Sequence, residues 1–346
     1  MMNSTAQKRQ VSNGGMRAVA INRFGAPETL SVRTVPLPEP EPNQILMRVE
    51  SAGVGIWDIA ECQGFIAQML GIQPKFPWIL GSEGAGRIVA VGEKVSGFRN
   101  GDLVYGLDWG TNPKAGFFAE YTALDAEWAS PIPSSLDTEQ AGALIIDGAT
   151  ALRGLDEILG LKPGEKLMVF GASGGIGHLA VQLAARMGAH VFAIASGEDG
   201  VALARRLGAE GSVEGHDGDI VASGREFAPD GFDAALVTAG GEAADRALTT
   251  MRGGGRVAYP NGLQPVPRAP STVRLLGYND GGYWKELDHG LIGKLNELVD
   301  AGPFEVHLGK TFSLDQVVDA HRALGSHYLG RLALLPTADS QYRPHG

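Results

Sequence analysis

Cysteine is nearly missing from this chain: Cys62 is the only one in 346 residues. A single sulfur makes neither an internal disulfide nor a thiolate-rich zinc site, so a disulfide-stapled scaffold is excluded and a reducing compartment fits. No apolar run approaches the ~20 residues that cross a bilayer. Residues 1–15 are polar, carry Lys8 and Arg9, and lack the apolar stretch of a secretory signal. They read as a flexible tail outside the fold, and the chain as cytoplasmic. Basic charge is outweighed, with 29 Lys and Arg against 39 Asp and Glu and a net charge of -10, which disfavours nucleic acid and anionic membranes as partners. Glycine, in contrast, is abundant: fifty residues without a three-residue period point to many tight turns rather than to collagen. With 44% hydrophobic residues the chain can bury the cores of about two domains.

From Met16 to about Trp128 short alternating stretches dominate, as in Arg17 to Asn22 and Gln44 to Glu50. Gly84 to Gly92 and Gly101 to Tyr105 read as two strands with glycine and proline confined to connections, which predicts a compact, partly open β-barrel. Beyond Pro133 the rhythm changes to helical stretches of ~15 residues between apolar strands, the pattern of βα units on a parallel sheet. The strands are Lys166–Phe170, Val191–Ala195, Ala234–Thr238 and Gly255–Tyr259; helices include Gly177–Met187, Gly200–Leu207 and Ala243–Met251. After Gly302 a strand over Phe304–Phe312 and a helix over Leu314–Leu324 rejoin the first domain. The expected division is 1–138, 139–300 and 301–346.

Phe170-Gly-Ala-Ser-Gly-Gly-Ile-Gly177 follows a strand and opens an amphipathic helix, the setting in which a glycine pattern indicates a dinucleotide. Gly174 lets the backbone approach a pyrophosphate, Gly177 lets the helix pack on the strand, and the free N–H groups of the helix start attract negative charge. Ser173, Gly174, Gly175 and Ile176 are the expected pyrophosphate loop, and Thr238, Ala239 and Gly240 close a strand at the end where open α/β sheets place ligands. An acidic side chain is called for at the tip of the second strand when the ribose hydroxyls are free. Here that strand ends Ala195-Ser196-Gly197, so Ser196 favours the 2′-phosphate of NADP over NAD, although no basic residue adjoins it and Glu198 and Asp199 follow at once.

At this point the chain resembles the medium-chain dehydrogenase/reductase superfamily, and within it the zinc-free quinone oxidoreductase branch. The resemblance runs from Met16 to Leu335. It rests on Gly81-Ser-Glu-Gly-Ala-Gly-Arg-Ile-Val-Ala-Val-Gly92, Gly101-Asp-Leu-Val-Tyr-Gly106, Gly148-Ala-Thr-Ala151, the glycine loop, and Ala320-His-Arg-Ala-Leu-Gly with Leu329-Gly-Arg-Leu-Ala-Leu. It implies a GroES-like catalytic domain built from both chain ends, a central Rossmann domain, and catalysis in the cleft between them. Zinc-dependent relatives carry a cysteine after Gly-Val, a histidine before Glu, and a further ligand before Gly-x-Thr. Those positions hold Gly55, Ser82, and Ile146 or Asp147, and an all-oxygen set from Ser82, Asp58, Glu83 and Asp147 is foreign to catalytic zinc, so no metal is expected.

By the same resemblance Trp57 and Asp58 fall in the active-site segment, Thr150 begins a helix on the nicotinamide side, and Arg331 replaces a lysine near the cofactor. Each has a plainer alternative: a packed aromatic for Trp57, a turn-orienting carboxylate for Asp58, a helix cap for Thr150, a solvated cation for Arg331. Trp109 and Trp284 are weaker pocket candidates, and Tyr105 and Tyr259 are potential proton donors. His178 and His321 lack ligand spacing and read as structural. Without a Lewis acid, hydride transfer from NADPH to a quinone or α,β-unsaturated carbonyl is easier than alcohol oxidation, because charge spreads over a conjugated acceptor. The alternatives are a zinc-free alcohol or carbonyl dehydrogenase, or a crystallin-like cofactor binder with little catalysis. A small-molecule substrate and a homodimer formed through a sheet-edge strand near Thr272 to Tyr278 complete the expectation.

Overall fold

The computed structural model describes residues 15–108, 111–278 and 289–337; Trp109, Trp284 and residues 1–14 of the expected tail lie outside them. The chain forms two compact units. One runs to Pro131 and takes back Thr311–Gly325 and the segment from Ala333; the other comprises Ile132–Lys310 and Ser326–Leu332.

The first unit opens with β1 (Gly15–Ile21), β2 (Val32–Pro36), β3 (Gln44–Val54), α1 (Ile56–Cys62), α2 (Phe65–Met69), β4 (Trp78–Ile79), β5 (Glu83–Val91), β6 (Leu103–Leu107), β7 (Tyr121–Asp125) and β8 (Ala129–Pro131). β3 is its longest strand and pairs antiparallel with both β5 and β7. The β3–β5 register slips twice, between Leu46 and Met47 and between Val49 and Ser51, and such irregularities bend a strand and curl the sheet. Short strands, bulges and a second small sheet of order β2-β1-β4 make a GroES-like, partly open barrel.

In the second unit α3 (Thr138–Ala141) and α4 (Ile145–Arg153) precede β9 (Lys166–Phe170), α5 (Gly175–Arg186), β10 (His190–Ala195), α6 (Gly197–Arg206) and β11 (Gly211–Glu214). There follow α7 (Ile220–Phe227), β12 (Phe232–Val237), α8 (Glu242–Leu248), β13 (Met251–Tyr259), β14 (Arg274–Gly277) and α9 (His289–Asp300). β15 (Leu308–Ser313), α10 (Val317–Ala323) and β16 (Arg331–Leu335) close the chain. The expected strand from Phe304 thus begins four residues later. The expected helix from Leu314 starts with a 3-10 turn before α10.

The six strands β11-β10-β9-β12-β13-β14 are all parallel, so the sheet is doubly wound from β9 outward. Leu167, Met168 and Val169 are all fully buried, which explains why β9 reads as a continuous apolar run: helices cover both faces. Each such side chain contributes about 1.5–3 kcal/mol relative to exposure. One face is filled by Met168, Ile194, Val237, Leu248 and Val257 with the rings of Phe192, Phe227 and Phe232 in contact. The order reverses between β9 and β12. That switch point sets the glycine loop after β9 beside the chain leaving β12, the crevice in which open α/β sheets bind ligands. Among the described residues no helix is long and apolar enough to cross a membrane.

Candidate functional site

Across the loop after β9 and the first turn of α5, four glycines differ in the room beside them. Gly171 takes a φ of +86°, and a Cβ on it would lie 2.3 Å from Thr238 Oγ1. Gly177 could carry no Cβ without approaching Gly171 O to 2.0 Å, so α5 starts hard against the loop. A Cβ on Gly175 would meet Asp147 Oδ2 at 2.1 Å. Gly174 differs. Its φ of -85° suits any residue, and the nearest atom to a Cβ there is 3.5 Å away. Neither backbone conformation nor packing within the protein calls for a glycine at 174, and the space beside it is open.

His178 fixes this loop to the helix. Its Nε2 accepts from the His307 N–H at 3.2 Å, which leaves Nδ1–H to donate to Gly174 O at 2.9 Å. Burial, above all, lowers the His178 imidazole to about 4 and keeps it neutral. The Ser173 hydroxyl turns toward the next strand, where its Oγ accepts from the Ser196 N–H at 3.2 Å. Ile176 is half-buried in the first turn of α5. Thr238 donates its hydroxyl to Phe170 O at 3.0 Å, Ala239 is exposed, and Gly240 lies under the Pro265 carbonyl. All of these residues come together around the switch point.

Arg331 also reaches the glycine loop, with its Cδ 3.1 Å from the Cβ position of Gly175. Its guanidinium is not a solvated surface cation. Nη1 donates to Asp147 Oδ2 at 2.6 Å, with both side chains at most 5% exposed. Burial raises the Asp147 carboxyl above its ordinary range and Arg331 opposes that shift. Asp147 is thus engaged by an arginine rather than poised as a ligand. Thr150 requires a correction: it lies inside α4, five residues after Ile145, and neither begins nor caps a helix. The Tyr278 hydroxyl donates to its carbonyl at 3.1 Å. Leu144 takes the cap position, because the helical run starts with the apolar residues that precede Gly148.

In the first unit a second group of polar residues is buried. Gly55 caps α1, and its N–H donates to Asp58 Oδ2 at 2.7 Å, so Asp58 does the work of a turn-orienting carboxylate. Burial first, then the charges of Glu61 and Glu83, push the Asp58 carboxyl well above the usual range, and the Gly55 N–H and Lys114 oppose them. Asp58 Oδ1 is buried without a hydrogen-bond partner. Trp57 is half-buried and lays its indole over Gly55; a Cβ at 55 would meet the ring at 2.4 Å. Lys114, inconspicuous in the sequence, forms a short buried contact with Glu61 Oε1 and donates to Ser82 Oγ at 3.3 Å. Trp78 Nε1 donates to the same Glu61 oxygen at 3.1 Å. Two of the positions that resemblance aligns with zinc ligands are therefore a glycine beneath an indole and a serine bound to an ammonium.

Ser196 stands at the tip of β10 as expected, but its surroundings were not legible. Its Oγ lies 3.0 Å from His216 Nε2. The N–H groups of Gly197, His216 and Asp217 all donate to the Glu214 carboxylate, at 2.9, 2.7 and 2.6 Å. Those bonds hold Glu214 down at about 2, the Asp217 N–H foremost. Glu214 and His216 were missed because β11 itself was missed: Gly-Ser-Val-Glu is short, with one strongly apolar residue. The signal available was positional, since the end of any strand in such a sheet borders the ligand crevice.

Residues 41–134 match the family described as alcohol dehydrogenase GroES-like domain, and residues 175–270 match zinc-binding dehydrogenase. Quinone oxidoreductase of Lama guanicoe is 30% identical over 330 residues, covering 92% of this chain and 97% of the relative. Alcohol dehydrogenase of Moraxella sp. (strain TAE123) is 30% identical over 325 residues, covering 84% and 93%. Among solved structures, a NAD-dependent alcohol dehydrogenase superposes with a TM-score of 0.80 at 26% identity, covering 93% of this chain and all of the other. With the doubly wound sheet, the barrel and the loop at Gly174 already in place, these matches show that the chain belongs to the medium-chain dehydrogenase/reductase superfamily and is quinone oxidoreductase-like.

Proposed function

We propose that this oxidoreductase is zinc-independent and transfers hydride from NADPH to a quinone or an α,β-unsaturated carbonyl compound. The observation that carries the reading is Gly174, a glycine that the protein's own packing does not require, at the N-terminal cap of α5, where the first N–H groups of a helix lack helical partners. Ser173, Gly174, Gly175 and Ile176 would hold the pyrophosphate through their backbone. Ser196 would meet the adenosine ribose, and Thr238, Ala239 and Gly240 would border the cofactor from β12. When bound, the nicotinamide supplies the hydride.

The residues present do not fit catalytic zinc. Gly55 has no side chain, its Cβ space is filled by Trp57, and Ser82 is bound by Lys114. No step of the reaction is therefore assigned to a metal. Acceptors that delocalise the incoming charge suit such a site, since positioning and a few donors suffice. Asp58, kept toward its neutral form, and the Lys114–Ser82 pair are buried polar groups of the first unit. Sequence kinship to quinone oxidoreductases supports the acceptor class.

The alcohol dehydrogenases of equal identity support a second reading, oxidation of alcohols or reduction of simple carbonyls. Steady-state assays separate the two. NADPH oxidation is expected with benzoquinones or enones and not with simple aldehydes; turnover confined to alcohols and aldehydes would sink the first reading, and tight cofactor binding with no turnover at all would favour a binding protein. We also place the protein in the cytoplasm as a homodimer that takes small-molecule substrates, with β14 as the pairing edge.

A further inference from the structure

Around Ser196 the second unit has an open pocket of about 510 Å³, bordered by Gly197 and Glu198 on α6, Glu214 at the end of β11, His216 and Asp217 on the following loop, and His327. A 2′-phosphate brought to Ser196 enters this space and meets more acid than base. Glu214 is a permanent carboxylate, held by three amides that include the Gly197 N–H at the start of α6, so that amide is already engaged. Glu198 and Asp217 are also acidic. Of the two histidines, His327 is engaged through Nε2 by the Asp199 carboxylate at 3.0 Å. His216 is exposed, with its Nε2 on the Ser196 hydroxyl.

We propose that His216 is the specificity-determining residue for the cofactor: its imidazolium, side by side with the Ser196 hydroxyl, supplies the counter-charge without which the carboxylates of this cavity would repel a 2′-phosphate. This rests on the NADPH reading above and deepens it. A histidine changes charge between pH 5 and 8, whereas a phosphate monoester keeps about 1.5 to 2 negative charges near pH 7. Preference for NADPH over NADH therefore grows as pH falls from 8 to 6. NADH carries two hydroxyls at the same ribose and gains nothing from the cation, so its affinity stays level.

Dissociation constants for NADPH and NADH, measured by nucleotide fluorescence at pH 6, 7 and 8, test this on the full chain and on His216→Gln and His216→Lys. The wild type is expected to lose roughly tenfold in the NADPH-to-NADH affinity ratio between pH 6 and 8, the size of one charge contact. His216→Gln should show the low ratio at every pH and His216→Lys the high one, with the thermal midpoint unmoved in both, because the side chain is exposed. A wild type that prefers NADPH with a ratio unchanged in His216→Gln would overturn the role of His216 and leave the NADPH reading standing. Preference for NADH at all three pH values in all three proteins would overturn both.

Discussion

Gly174 caps α5 and Gly177 lies in its first turn; the nearest atom to a Cβ on either is Gly171 O, at 3.5 Å for the first and 2.0 Å for the second, so the consequences of adding one methyl group differ. Gly174→Ala puts the methyl into open space 3.5 Å from its nearest neighbour, at a cap position where replacing glycine by alanine costs up to about 1 kcal/mol. Its thermal midpoint should stay within about 2 °C of wild type while NADPH binding weakens at least ~10-fold. Gly177→Ala drives a methyl into Gly171 O and should cost about 1–3 kcal/mol or more in chemical denaturation. Equal binding in Gly174→Ala and wild type would remove the main support for a dinucleotide there. At Gly55 the relevant neighbour is an indole. Restoring zinc-ligand residues with Gly55→Cys and Ser82→His should therefore bind no stoichiometric zinc by elemental analysis and should lower the midpoint, since the cysteine Cβ meets Trp57 at 2.4 Å. Loss of Lys114 has a separate cost. Lys114→Met leaves Glu61 charged in a buried place, and about 3–5 kcal/mol of stability should disappear in denaturant titration.

At the scale of elements, two buried histidines give stability a pH dependence: His178, hydrogen-bonded through both ring nitrogens, and His321, whose ring nitrogens are buried without a hydrogen-bond partner. His178 in α5 and His321 in α10 are both held near 4 by burial. In the unfolded chain a histidine takes up its proton near 6.5, and in the native state not until about 4, so the unfolded state binds more protons in between. Stability is thus fully present above about 6.5 and falls as pH drops toward 4. The melting midpoint should be several degrees lower at pH 5 than at pH 7, and His321→Leu, which removes one of the two groups, should flatten the slope; an unaltered slope would show that His321 titrates normally. The elements themselves were legible in proportion to their apolar content. β9, β10 and β12 announced themselves because both faces are buried, while β11 and β14 at the sheet edges carry few buried side chains and leave a weak pattern. The boundary of α4 was misread for a related reason: Gly148-Ala-Thr150 looks like a helix start, but the buried residues Ile145 and Ile146 already belong to the helix.

For the molecule as a whole, β14 is the outer strand of the six-stranded sheet among the described residues and presents Leu275 at 40% exposure. An unpaired edge of that kind invites a second copy. Light scattering after size exclusion should give about twice the 36.3 kDa chain mass, and Leu275→Arg should shift it toward the monomer; a monomeric wild type at micromolar concentration would end the idea. The fold class, the glycine loop and the loss of ligand chemistry at Gly55 and Ile146 could be read from text, because each depends on local spacing or on what one side chain is able to do. Pairings of charge could not. Arg331 meets Asp147 across 184 positions, Lys114 meets Glu61 across 53, and His216 meets Ser196 across 20 through a strand that was not recognised. Chain folding alone chooses among such distant partners, since any buried cation lowers its energy with any carboxylate that the packing brings within reach. The glycine loop is thus legible in the sequence as a spacing, whereas only the tertiary structure brings the His216 imidazole and the Glu214 carboxylate to the end of β10.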